Sequence, residues 1–409
     1  MPPWKRLPIP TKVPKLVYVL IIAVSLLVIF LRLHCKREIA TASTVAAVPA
    51  SAPRREVQVR PKPGLKYILR WINPTNKPTE DGDGSLLFTA RNCTWSNCYL
   101  TDRSDLLQDF SRFSAVLFDS PDIEYFAGSR KLPRRRARWQ KFVYVSGDPA
   151  AASPVCDALW DGYFNWTWTY RLDSDLVWRY FLIRDARGRV VGPRRGMHWI
   201  NVQNMSPVDS RYIMKLRSKT KIAAWFASNC KTQSKREEFV SEVQGYLSEY
   251  KLQVDVYGNC GEHVCPKSAM GSCLQMLSEE YYFYFAFESA MSEDYVTEIV
   301  LHALNHDTVP VVFGGANYTR FLPDGSYLNA LHYGPERLAR RMYEIMQNPS
   351  VYQMFFRWRS HYSYHDHTES QETDNYCALC AAVNEDSFNA FSLYKNFIDW
   401  WTPKEWCAE

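Results

Sequence analysis

The chain has 409 residues, 46% of them hydrophobic and 15% aromatic, which excludes a wholly disordered protein. Its formal charge of +6, from 49 basic and 43 acidic residues, is too mild to make nucleic acid the expected partner. The length allows two or three domains, and the 11 cysteines raise the question of redox compartment.

Residues 1–15 read as a cytosolic tail carrying Lys5, Arg6, Lys12 and Lys15. The uncharged run LVYVLIIAVSLLVIFL that follows is of a length to span a thin membrane. The basic flank before it predicts a single signal-anchor helix over 16–33, with the bulk of the chain lumenal. Residues 34–64 are small, polar and proline-containing and predict an extended stem. Sequons at Asn92, Asn165, Asn204 and Asn317 suit a lumenal chain.

A first α/β domain is expected over 65–207. Lys66–Ile72, Ser114–Ser120 and Lys141–Gly147 read as buried strands, with a helix over Asp102–Phe110 between the first two. A second domain is expected over 208–390, followed by a tail segment, 391–409. It opens with a strand over Lys221–Ala227. A capping box of Ser234 and Glu237 then starts a helix whose apolar face is Phe239, Val240, Val243, Tyr246 and Leu247. Val254–Gly258 is the return strand. Tyr281–Phe287 is a further buried strand. A helix from about Asp294 carries the stripe Val296, Ile299, Val300, Ala303 and Leu304, and Thr308–Gly314 is the next strand. Linked βαβ crossovers predict a doubly wound sheet that binds ligands at the carboxyl ends of its strands. Those ends are Ser228–Asn229, Gly258, Glu288–Ser289 and Gly314–Gly315, and helix N-termini there favour a phosphate.

These segments carry a resemblance. AAWFASNC with Arg236 after it, VDVYGNCG, FYFAFESAMSEDYVTE and TVPVVFGGANYTRFLPDGSYLNA resemble the donor-binding domain of the α1,3-fucosyltransferases, a family of Golgi type II membrane enzymes. NCYLTDR, LPRRRARWQKFVYV and FNWTWTYRLDSD upstream, and FFRWRSHY and CALC downstream, extend it over most of 65–380. The resemblance implies two Rossmann-like domains in a GT-B arrangement. It implies GDP-fucose as donor, an N-acetylglucosamine-containing glycan on glycoproteins as acceptor, inversion, and no essential cofactor or metal. It places Ser228, Asn229, Arg236, Tyr257, Glu288, Ser289, Tyr295 and Glu298 at the donor. Arg236 falls at a diphosphate-contacting arginine, and Glu298 suits ribose hydroxyls.

The chain departs from the family pattern at three positions. Ser289 stands where asparagine is usual, and Ile299 where a phosphate-clamping lysine is usual. Asp148 is the nearest residue to the expected glutamate base, and an Asp-Pro turn is its competing role. A lumenal homologue that binds the donor or glycan with little or no turnover is therefore the alternative function.

Other constellations carry less. Asp173-Ser-Asp175 looks like a metal-binding motif but lies within the family match, so no metal is expected. His361, His365 and His367 lack partner ligands at metal spacing. Arg134–Arg138 reads as a solvated face before a strand. Cys377 and Cys380 suit a structural disulfide in a lumenal chain. Cys35 lies at the membrane edge, and Cys230 reads as a bridge half or a free thiol near the nucleotide.

Overall fold

The computed structural model describes residues 62–73, 83–133 and 135–407. The expected tail, anchor, most of the stem and Cys35 lie outside them. Among the described residues no helix is long and apolar enough to cross a membrane.

Two parallel sheets organise the chain. The first has six strands: β1 (Lys66–Arg70), β2 (Cys98–Thr101), β3 (Phe113–Asp119), β4 (Lys141–Ser146), β5 (Trp166–Thr169) and β6 (Leu176–Val177), in the order β2-β1-β3-β4-β5-β6. A small antiparallel sheet uses β7 (Phe181–Asp185) and β8 (Val190–Gly192). The second parallel sheet has β9 (Lys221–Phe226), β10 (Val254–Tyr257), β11 (Tyr281–Phe287), β12 (Val309–Phe313) and β13 (Leu328–Asn329), in the order β10-β9-β11-β12-β13. The late strand β14 (Tyr362–Asp366) pairs with β7 and completes the antiparallel sheet, which the sequence reading lacked. Buried strands in parallel sheets are apolar on both faces. That is why YYFYFAF and VPVVF signalled themselves, each with no exposed residue.

Several local expectations give way to hydrogen bonding by short polar side chains. Residues 102–110 form turns and bends rather than a helix. Asp102 pairs with Arg70 at 2.9 Å, and the Asp109 carboxylate accepts the Ser111 amide. Only a 3-10 turn, Phe110–Arg112, follows. The capping box does not form. Lys235, at φ 54°, occupies the cap position of the Arg236–Glu249 helix. The Glu237 carboxylate instead accepts from the Thr232 amide and hydroxyl, each at 2.8 Å, and the Ser234 hydroxyl donates to the Glu288 carbonyl at 2.7 Å. The helix expected from Asp294 begins at Ile299 and ends at Leu304. Asp294 itself sits at φ 59°, outside helical space.

The chain end also departs from the expected boundaries. The Asn375–Asn384 helix packs on the first sheet, burying Cys377, Leu379, Cys380 and Val383 with Ile68, Phe88, Leu100 and Val143. Phe397 and Trp401 enter the other core of that sheet, with Tyr144 and Phe164. Residues assigned to the second domain and the tail thus complete the first sheet.

The cysteines explain part of this. Cys377 and Cys380 do not pair with each other. They share one face of a helix, and the opposing layer supplies their partners: Cys93–Cys377 and Cys98–Cys380. Cys230 is bonded to Cys260, because β9 and β10 are neighbours and deliver their following loops side by side. Cys156–Cys407 and Cys265–Cys273 complete the described set.

Asn165 is a correction. It is 2% exposed, its amide nitrogen donates to the Ser392 carbonyl at 2.8 Å, and its oxygen accepts from the Phe142 amide and Arg136. A folded chain leaves no room for a glycan there. Asn92, Asn204 and Asn317 are exposed.

Candidate active site

Both parallel sheets share one order, with the reversal falling between the first and third strands in each. A crevice opens at such a switch point, beyond the carboxyl ends of the strands. In the second sheet the switch point lies between β9 and β11, whose carboxyl ends lead into Ser228–Asn229 and Glu288–Ser289. Ser228 and Asn229 are exposed there, and Ser289 is half-buried.

Arg236 begins its helix directly below this edge. Its side chain is buried, it donates to the Phe287 carbonyl, and its guanidinium lies 5.7 Å from the Trp225 ring centroid. Burial lowers its pKa, and Glu288 is the largest opposing influence. Its Nε is buried without a hydrogen-bond partner. A buried donor of this kind is costly unless a ligand satisfies it.

Glu288 is 2% exposed, and burial pushes its carboxyl up to about 8. It accepts the Thr297 amide at 2.8 Å and the Thr297 hydroxyl at 3.2 Å. The side chain therefore closes the 288–297 loop from beneath. Gly314 makes room for it, since a Cβ there would lie 2.7 Å from the Tyr318 hydroxyl and 3.3 Å from the Glu288 side chain.

Tyr295 projects from that loop into the core of the first sheet, joined there by Ala290. Its ring meets Tyr170 edge-on at 5.1 Å and Tyr180 at 6.1 Å. Burial raises its pKa, with smaller contributions from Glu288 and Asp148. Asp148, exposed just beyond β4, is thus within electrostatic range of Tyr295. Asp148 also lines a pocket of about 270 Å³ at the end of the first sheet, with Asp119, Ser120, Gly147, Trp168, Trp178 and Tyr376.

Glu298 is exposed beside this region, and its charge reaches Tyr180 and Glu288. Ile299 is half-buried and packs into the cluster that includes Tyr284, Val296 and Val300. Tyr257 is not brought to the crevice by its hydroxyl. That group shares a 2.8 Å hydrogen bond with Tyr281, which in turn donates to Asp255 at 2.5 Å. Tyr281 starts β11, so the Tyr257 side chain runs back along the sheet, away from the ligand edge.

An ion-pair network joins the two sheets beside Tyr295. Glu293 meets Arg171, Arg195 and Arg320, and Asp294 meets Arg320 at 2.5 Å. Asp173 is held by Arg171 and Arg195, both at 3.0 Å, and by the Trp400 indole. Asp175 accepts from the Thr167 amide and the Tyr394 hydroxyl. Both acids of the D-x-D string are occupied by protein groups. His361 accepts the Ser206 amide, and His365 faces Ser363 and Glu369, so these histidines serve separate local contacts.

The sequence reading missed Tyr170 and Tyr180. Their signal was available: Tyr170 opens the YRLDSD segment just after β5 and Tyr180 stands just before β7, places where a buried aromatic has a polar group to place.

A buried arginine thus lies at the carboxyl end of one parallel sheet and an exposed carboxylate at that of the other. The comparisons name the family. The profile "Glycosyltransferase family 10 (fucosyltransferase) C-term" matches residues 216–400, and "Fucosyltransferase, N-terminal" matches 63–181. The chain belongs to this fucosyltransferase family. It is 34% identical over 315 residues to Alpha-(1,3)-fucosyltransferase C of Drosophila melanogaster, covering 76% of this chain and 70% of that one. It is 29% identical over 319 residues to human 4-galactosyl-N-acetylglucosaminide 3-alpha-L-fucosyltransferase FUT5, covering 77% and 75%. A crystal structure of an alpha1,3-fucosyltransferase with GDP aligns over 83% of this chain and 96% of that one, at TM-score 0.46 and 13% identity.

Proposed function

We propose that the protein transfers fucose from GDP-fucose to the 3-hydroxyl of an N-acetylglucosamine residue in a glycoprotein glycan, with inversion. The carrying observation is that Tyr295, in the loop closed by Glu288 beside the buried Arg236, lies within electrostatic range of Asp148 from the first sheet. The two sheets form the two halves of a GT-B arrangement, with the donor at the second and the acceptor at the first.

Asp148 takes the proton from the acceptor hydroxyl as it attacks the anomeric carbon. The GDP leaving group gains negative charge as the bond to fucose breaks. Arg236, with an unsatisfied Nε, and the start of its helix supply positive potential for the diphosphate. Ser228, Asn229 and Ser289 ring the donor crevice, and Glu298 accepts from ribose hydroxyls. Glu288 acts by holding the loop. No metal is needed when protein donors do this work. The enzyme is anchored in the Golgi membrane by residues 16–33, with its catalytic part in the lumen and glycans at Asn92, Asn204 and Asn317.

Ile299 favours a second reading, since it contributes no charge where a lysine would meet phosphate: donor binding without turnover. Glycan-dependent release of GDP from GDP-fucose separates the two. Release with a LacNAc or N-glycan-core acceptor supports transfer. GDP binding without release supports the silent reading, and absence of GDP binding removes both.

A further inference from the structure

The loop that presents Asp148 is fastened at each of its backbone positions. Tyr180 donates its hydroxyl to the Gly147 carbonyl. The Ser146 hydroxyl donates to the Asp148 carbonyl at 2.9 Å and shares a second 2.9 Å hydrogen bond with Ser120. On the far side of Asp148, the Ala150 amide donates to the Tyr170 hydroxyl at 3.1 Å. Pro149 between them has no amide hydrogen to give. The Pro149 carbonyl accepts the Ala152 amide at 2.8 Å. The two tyrosines come from separate segments, one closing β5 and one preceding β7, yet both rings pack against Tyr295. Tyr295 belongs to the loop that Glu288 closes on the donor side.

We propose that Tyr170 and Tyr180 are positioning residues: their hydroxyls fix the 147–150 loop that presents Asp148, and their shared contact with Tyr295 ties that loop to the donor crevice. The proposal rests on reading Asp148 as the base. The side chain of Asp148 is exposed, and among the described residues no hydrogen bond orients its carboxylate. Its direction is therefore set by its backbone, which the two tyrosine hydroxyls hold on either side of Asp148, together with Ser146 and Ala152. A rigid backbone under an otherwise free carboxylate is what a base needs when its reach is short, because a shift of about 1 Å at a reacting group costs on the order of 100-fold.

Tyr180→Phe and Tyr170→Phe remove only the hydroxyls and keep both rings against Tyr295. In the full chain, each should lower kcat roughly 10- to 100-fold and leave KM for GDP-fucose within about twofold. In an Asp148→Asn background, adding Tyr180→Phe should cause no further fall, because the positioned group is already gone. A Tyr180→Phe enzyme with unchanged kcat overturns the proposal. So does a double variant whose losses multiply. If Asp148→Asn alone retains full transfer, the base assignment fails, and the clamp is then read by amide exchange. Tyr170→Phe should speed exchange at the Ala150 amide by about tenfold or more, whatever Asp148 does. Unchanged exchange there overturns the clamp.

Discussion

The Glu288 carboxyl accepts the amide hydrogen of Thr297 at 2.8 Å, across a nine-residue separation that spans Ser289 and Tyr295. Burial raises this carboxyl to about 8, above its ordinary value of 4.5. A folded pKa above the unfolded one means the native state holds the extra proton. The contribution is then complete below about 4.5 and is lost as pH rises through about 8. The melting temperature should fall between pH 6 and 9 by more in the wild type than in Glu288→Gln, which stays neutral and still accepts from Thr297. Parallel melting curves for the two proteins across that range would refute it.

Arg236 is expected to act on the leaving group. Arg236→Lys keeps a charge but loses the planar fork that reaches both the Phe287 carbonyl and a phosphate. GDP affinity should fall at least tenfold, by about 1.4 kcal/mol or more. Titration of GDP by calorimetry measures it, and affinity equal to wild type would exclude Arg236 from the diphosphate site.

Asp148→Asn should reduce transfer by roughly 100-fold or more, the usual scale of general-base catalysis. Ile299→Lys tests the missing clamp separately. Ile299 is half-buried against Tyr284, Val296 and Val300, so a lysine must lay its stem there and extend the ammonium outward. A rise in kcat/KM for GDP-fucose would show that the lost charge limits this enzyme. A fall accompanied by a lower melting temperature would show that the position belongs to packing.

The Cys93–Cys377 and Cys98–Cys380 bridges close nearly the same loop, with separations of 284 and 282 residues. Once one is formed, the other closes only the short ring between them. On the chain-entropy account, removing either bridge alone should cost about 2–3 kcal/mol, while removing both should cost roughly 8 kcal/mol. Denaturant titration of the two single-bridge variants and the double variant checks the inequality. Equal losses for single and double removal would contradict it.

Legibility in the sequence followed the range of the interactions. The buried parallel strands announced themselves as apolar runs, and the strand-end loops at Ser228, Glu288 and Gly314 followed from them. Contacts that bring distant segments together left no local mark. NYCALCAAVN reads as a buried helix, but nothing in it says that Ile68 and Val143 cover it. The Asn165 sequon matches its pattern in every letter, yet the side chain bonds Phe142 and Ser392. Tyr257 stands at a ligand-edge position while its hydroxyl is drawn back to Tyr281. The 102–110 helix failed for a local reason and a distant one, because Asp109 had a better partner in the Ser111 amide and Asp102 in Arg70, 32 residues away.

The return of residues 375–401 to the first sheet sets an order for biosynthesis. Strands β9 to β13 and their helices arise from one continuous stretch and can close while the chain is still emerging. The first sheet, although begun at residue 66, lacks Cys377, Leu379, Phe397 and Trp401 until the chain has been made past residue 401. Its strands must wait, with Ile68, Val143 and Tyr144 uncovered, for a segment made about 300 residues after β1. A stop codon near residue 370 would therefore do its damage at the opposite end of the chain. It would strip the cover from the first sheet and leave Cys93 and Cys98 without partners, while the second sheet keeps its own core.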